Sequence, residues 1–158
     1  MEKVMTKIGE LEIDEEKVVR FEKGIPGFES LRDFIVVEKE ESYPILWLVS
    51  LDSPNVAIPV IDPWLIRVDY TVDIDEETVK ELEIEGMEDL RILAVLVIPV
   101  GNPKDMTINL MAPIVINKRT GKGKQIIMEN SGYGIRHKVV DEIERSKKIM
   151  KDMSENTG

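Results

Sequence analysis

The sequence contains no cysteine and a single histidine, His137. The first absence excludes disulfides, thiolate metal sites and cysteine nucleophiles. The second leaves no set of imidazoles for a metal centre or an acid–base relay. No stretch of about eighteen apolar residues occurs, so no segment reads as a membrane-spanning helix. Residues 1–16 have neither the apolar core nor the small-residue cleavage site of a secretory signal, and a cytoplasmic location is expected. Basic residues number 21 against 31 acidic ones, for a net charge of −10. Such a field repels nucleic acid backbone and favours basic partners.

What is present is apolar patterning. With 158 residues, 42% of them hydrophobic, the chain suits one domain with a substantial core. The longest pattern runs from Asp105 to Met128. Ile108, Leu110 and Ala112 alternate with Thr107, Asn109 and Met111, the period of a strand with unlike faces. Pro113 must interrupt the pairing. Ile114–Ile116 resumes the strand, residues 120–123 (TGKG) turn it, and Gln125–Met128 returns. Arg91–Val100 is almost continuously apolar and reads as a central strand buried on both faces. Phe34–Glu38 and Ile45–Leu51 are further strands. Thr6–Ile13 and Lys17–Phe21 read as an opening hairpin about an acidic turn at 14–16. Prolines break up residues 52–63, giving an edge strand over Val56–Ile61 between turns. Trp64–Val72 reads as a strand with Trp64, Ile66, Val68, Tyr70 and Val72 facing inward.

Two helices are expected. Asp75 caps a short one near 75–84, with Glu76 and Glu77 in its first turn and Val79 and Leu82 inward. From Ile135 onward the chain becomes helical, and Val139, Ile143, Ser146, Met150 and Met153 form a stripe. The sum is a mostly β, compact antiparallel barrel-like or sandwich domain over 1–134. Residues 135–158 form a helical tail, either packed on the body or mobile.

No catalytic set is apparent. His137 stands without a serine elbow motif, and the carboxylates fall in solvated runs. A hydrolase built on Asp52, Asp62 and His137 would need those groups to converge. Four stretches have a bland reading and a sharper one. Ile25 and Phe28, in the glycine- and proline-rich loop 22–29, either plug the core or anchor a partner. The acidic run 73–89 is either a solvated face or a docking site for something basic. Met150 and Met153 either lie on the sheet or offer methionines to a partner. The basic turn with Lys118, Arg119, Lys122 and Lys124 is either a solvated tip or a phosphate contact, the latter giving a nucleic-acid-binding barrel. Its spacing is not that of a phosphate-cradling loop.

Three segments occur in order: GIPGFE at 24–29, LDSPNVAIPVIDP at 51–63, and NLMAPIVINKRTGKGKQIIMENSGYGIRHK at 109–138. Together they resemble the FliW family of bacterial flagellar assembly factors. The resemblance implies a small cytoplasmic β-barrel-like protein with no cofactor and no enzymatic activity. It further implies a chaperone-like partner switch. Family members bind newly made flagellin and, when free of it, capture the translational repressor CsrA, coupling flagellin synthesis to secretion. No contact residue carries over with the motifs, and the tail beyond His137 lies outside them. The chain's own residues nominate contacts instead. Asp73, Asp75, Glu76, Glu77 and Glu81 suit a basic repressor surface. Ile25, Phe28, Met150 and Met153 suit an amphipathic helix of flagellin laid in an apolar groove.

Overall fold

The computed structural model describes residues 2–157. Its strands are β1 (Glu2–Thr6), β2 (Gly9–Ile13), β3 (Val19–Arg20), β4 (Asp33–Glu38), β5 (Leu46–Ser50) and β6 (Ala57–Ile61), followed by β7 (Leu90–Val97), β8 (Thr107–Ile108), β9 (Ile114–Asn117), β10 (Lys122–Gln125) and β11 (His137–Lys138). The helices are α1 (Glu76–Glu81) and α2 (Val139–Thr157). Seven strands close a barrel in the order β3-β4-β5-β6-β7-β9-β10. Each neighbouring pair is antiparallel except the seam, where β10 returns parallel to β3. There the Arg20 amide donates to the Gly121 carbonyl at 2.7 Å. A Cβ on Gly123 would lie 2.8 Å from Val19 Cγ1 and 2.9 Å from the Phe21 ring. The missing side chain is what lets the seam close.

Inside the barrel, Phe21, Phe34, Leu48, Val60, Leu93 and Ile114 form the central core. Phe21 and Phe34 meet edge to face, 5.4 Å apart. Two covers bury parts of the outer wall. The β1–β2 hairpin lies over Ile35, Val49 and Ala57, which explains why β5 reads as apolar on both faces. On the other side, residues 61–84, the chain around Leu110 and Met128, and Val139 of α2 cover Ala94, Leu96 and Val115. β7 is the hub. Its first half pairs with β9 and its second half with β8, while β6 takes the opposite edge.

The barrel-like, mostly β architecture with two helices agrees with the sequence expectation; several elements do not. The opening hairpin lies one unit earlier. Gly9, at φ +112°, makes the β1–β2 turn, and the chain at 14–17 is a 3-10 turn capped by Asp14. The strand over 56–61 is interior rather than an edge, because Pro59 sits opposite Trp47 while both edges stay paired around it. No strand forms over Trp64–Val72. Asp62 accepts from the Trp64 amide at 3.0 Å, and with Pro63 at the first position it starts a 3-10 turn instead. The 107–112 strand stops after Ile108, where the Asn109 side chain accepts from the amides of Met111 and Ala112. The central strand ends at Val97, before Pro99.

Candidate interaction surfaces

The acidic run and the basic turn, far apart in sequence, meet along one edge of the barrel. Asp75 caps α1 by accepting from the Thr78 amide at 2.8 Å. The chain leaves the helix through Leu82 and Glu83, the latter at φ +54°. Asn117, at the end of β9 and fully buried, donates to the carbonyls of Leu82 and Glu83 at 2.8 and 3.2 Å. Its Oδ1 accepts from the Arg119 amide at 2.9 Å, so one side chain shapes the basic turn and fixes α1 against it. Ion pairs follow. Lys122 meets Glu83 at 3.0 Å, Lys124 meets Glu81 at 3.1 Å, and Arg119 reaches Asp89 and Glu85 at 3.5 and 3.7 Å.

The basic turn is therefore occupied by the protein's own carboxylates, Lys118 alone of its four cations entering none of the ion pairs among the described residues. Glu81 is a rivet as well as a surface charge: it takes Lys124 and, at 3.0 Å, Lys23 from the 22–29 loop. Lys23 above all, with Lys124, holds the Glu81 carboxyl below the usual range. Glu77 shares Lys23 at 3.8 Å. Asp73 and Glu76 are exposed and enter none of the ion pairs among the described residues. Val79, expected inward, is exposed, while Thr78 and Leu82 are buried.

In the 22–29 loop, Gly24 takes φ +68°, and a Cβ there would meet the Glu29 backbone. This tight turn brings the Phe28 amide to the Ile25 carbonyl at 2.7 Å. Ile25 points into the central core and is 3% exposed, whereas Phe28 remains 37% exposed. Of the four apolar candidates, Ile25 is thus a core residue. Met150 and Met153 are 57% and 62% exposed in the second half of α2.

The first half of α2 is clasped to the body by residues that pattern reading alone did not connect. Ser146 is buried; its hydroxyl donates to the Ile66 carbonyl at 2.8 Å and accepts from the Val68 amide at 3.0 Å. Arg145 grips Asp69 through two bonds, at 2.6 and 2.7 Å. That grip pulls the Asp69 carboxyl down to about 2. Arg67 lies over the Tyr133 ring at 4.9 Å and contacts Glu142 at 3.3 Å. His137 Nε2 accepts from the Gly134 amide at 2.8 Å, so the ring proton belongs on Nδ1, facing Glu142 at 3.0 Å. The only sequence signals for this clasp were the polar Ser146 within an apolar stripe and the Arg67–Asp69 spacing.

Asp52, Asp62 and His137 do not converge. Asp52 accepts from the Arg32 and Asp33 amides, Asp62 from Trp64, and His137 belongs to the clasp. The Asp33 and Arg32 amides keep Asp52 below the usual carboxylate range. Among the described residues, no group of three or more His, Asp or Glu side chains could hold a metal ion. No helix is long and apolar enough to cross a membrane, among the same residues.

One end of the barrel is open. A concavity of about 920 Å³ enters between the start of β3, the end of β4, the start of β5, the end of β6, the start of β7 and the β9–β10 turn. Val36, Leu46, Leu93 and Ile116 form its floor, and Tyr43, Trp64 and Leu65 stand at its rim. The Trp64 indole donates to the Tyr70 carbonyl at 2.7 Å, which fixes the ring beside the opening. The feature is hidden from the sequence because the alternation over Trp64–Val72 reads as a strand. The Asp62-Pro63 pair, a helix-start signal, could have revealed it.

A family model described as FliW protein matches residues 3–139. The chain belongs to the FliW family. The match takes in the barrel and ends where α2 begins. A flagellar assembly factor FliW of Thermosipho africanus is 52% identical over 137 residues, covering 87% of this chain and 94% of that protein. One from Pseudothermotoga lettingae is 48% identical over 146 residues, covering 92% and 93%. A crystal structure of the flagellar assembly factor FliW superposes with a TM-score of 0.81 at 36% identity, covering 87% of this chain and 96% of that one. The fold is thus shared with a solved relative over most of the chain.

Proposed function

We propose that this FliW-family protein serves flagellar assembly in the cytoplasm as a binding protein with no catalytic role. It holds newly made flagellin and, once flagellin is secreted, captures the repressor CsrA and relieves repression of flagellin synthesis. Family membership over residues 3–139 carries the reading. The surface chemistry supports it. An RNA-binding repressor presents a basic surface, and this chain offers exposed Asp73, Glu76 and Glu77 beside α1 within a net charge of −10. Such complementarity speeds encounter and disfavours RNA on the complex. The alternative, a nucleic-acid-binding barrel using residues 118–124, is weakened by the carboxylates that already occupy Arg119, Lys122 and Lys124. The test is co-purification of the tagged protein from its native cytosol. Flagellin should dominate the bound fraction when secretion is blocked, and CsrA when secretion proceeds. Absence of both from every preparation would refute the reading.

A further inference from the structure

We propose that the open mouth of the barrel is a peptide-docking site for an apolar segment of a protein partner that carries a carboxylate side chain. The inference rests on the reading of this chain as a binding protein and assigns that function a place. Three of the chain's exposed large apolar side chains, Tyr43 (62%), Leu65 (56%) and Trp64 (38%), line this one concavity. Exposed apolar groups gathered around an opening mark interaction sites more often than isolated ones do.

Charge around the mouth is ordered. Following the barrel, Arg91 at the start of β7, Lys118 after β9 and Lys17 before β3 form one continuous arc, with no acidic lining residue between Arg91 and Lys118. None of the three enters an ion pair among the described residues, although the adjacent Arg119 and Lys122 are both taken by carboxylates. Glu38 and the apolar rim occupy the opposite arc. Asp62, also there, is committed to the Trp64 amide, and Glu16 adjoins Lys17 at the edge. The mouth is therefore polarised. It would orient an occupant with its carboxylate toward Arg91 and Lys118 and its apolar side chains against Trp64 and Leu65.

A peptide fits this better than an enclosed small molecule. The volume is at the upper end of the range of about 300–1,000 Å³ for small-ligand pockets, and the rim side chains stand in solvent rather than folding over it. The strands around the mouth are paired on both sides, because the sheet closes on itself, so no strand edge is offered for pairing and recognition must use side chains.

Trp64 is a built-in reporter, because the other tryptophan, Trp47, lies under the β1–β2 hairpin. In a Trp47→Phe variant, emission is followed while short overlapping peptides tiled over flagellin and CsrA, with amidated ends, are added. Intact flagellin and CsrA are titrated in parallel. Peptides combining apolar residues with Asp or Glu should shift Trp64 emission. Arg91→Glu with Lys118→Glu should weaken them about tenfold or more. Leu65→Ser should weaken them too, and both changes are on exposed positions that leave the melting temperature near wild type. If intact partners bind but no peptide moves Trp64, or the charge-reversed variant binds its partner unchanged, the mouth is not the site although the binding-protein reading stands. If neither intact protein binds the wild type, the reading fails and the proposal fails with it.

Discussion

Asn117 is a buried amide whose donors and acceptor are all used, on two carbonyls of the α1 exit and on the Arg119 amide. Removing it takes one donor from each carbonyl, Leu82 keeping Thr120 Oγ1 and Glu83 keeping the Arg119 guanidinium, and leaves the Arg119 amide without its acceptor. Asn117→Ala is expected to cost about 2 kcal/mol in urea unfolding, and an unchanged midpoint would contradict the role given to it. Phe28 is the opposite case. It is partly exposed and contributes only the rim of a loop already locked by Gly24, so Phe28→Ala should leave the melting temperature within a few degrees of wild type. In a flagellin pull-down or titration, the same variant should bind more weakly. A large loss of stability would assign Phe28 to the core with Ile25. The sequence offered no way to separate these two side chains. Both are apolar in one irregular loop, and only the turn at Gly24 decides that Ile25 goes in and Phe28 stays out. Glu81 was equally ambiguous, since its partners Lys23 and Lys124 lie in distant segments.

At the scale of elements, α2 is held at its first half by hydrogen bonds and ion pairs to the 66–69 turn. Asp69 contributes through a carboxyl lowered from 3.8 to about 2 by Arg145. A depressed carboxyl stabilises the fold above its unfolded value and loses that contribution as pH falls through the folded one. The wild type should therefore lose the Asp69 share of α2 anchoring between about pH 4 and 2, and an Asp69→Asn variant should show a flatter dependence of melting temperature across that window. The Asp69 side chain is 42% exposed, so screening keeps the difference under about 1 kcal/mol. Identical pH profiles would remove Asp69 from the clasp. For α1, Glu76→Lys with Glu77→Lys should slow CsrA association, more at low salt than at high salt. Unchanged kinetics would exclude this face. Long apolar strands such as β5 and β7, and the cap at Asp75, were legible because period and capping are local. The 64–72 segment was not: its alternation was real, with Ile66 and Tyr70 buried, but the Asp62 cap and Pro63 turned it into an irregular cover. Likewise Pro59 suggested an edge, whereas the barrel tolerates it inside a paired strand.

Across the whole molecule, closure of seven strands leaves function to the exterior and the ends of the barrel. One edge carries an internally neutralised mixture of charge, with exposed carboxylates around α1 beyond it. One end is an open apolar mouth. Neither follows from composition: the net charge of −10 predicts a basic partner but not where acids and bases cancel, and the mouth exists only once β3, β4, β5, β6, β7 and β9 are brought into a ring. Family-level motifs were legible because they are turn and core sequences that the barrel requires. The contacts were not, since partner surfaces obey no local period. The central claim is that this FliW-family protein works by exclusive association with flagellin or CsrA. Calorimetric titration of the purified protein with each, alone and after saturation with the other, tests it most directly. The account predicts a binary complex with each partner and loss or strong weakening of CsrA binding once flagellin is bound. No heat with either partner, or undiminished binding of CsrA to the flagellin complex, would contradict it.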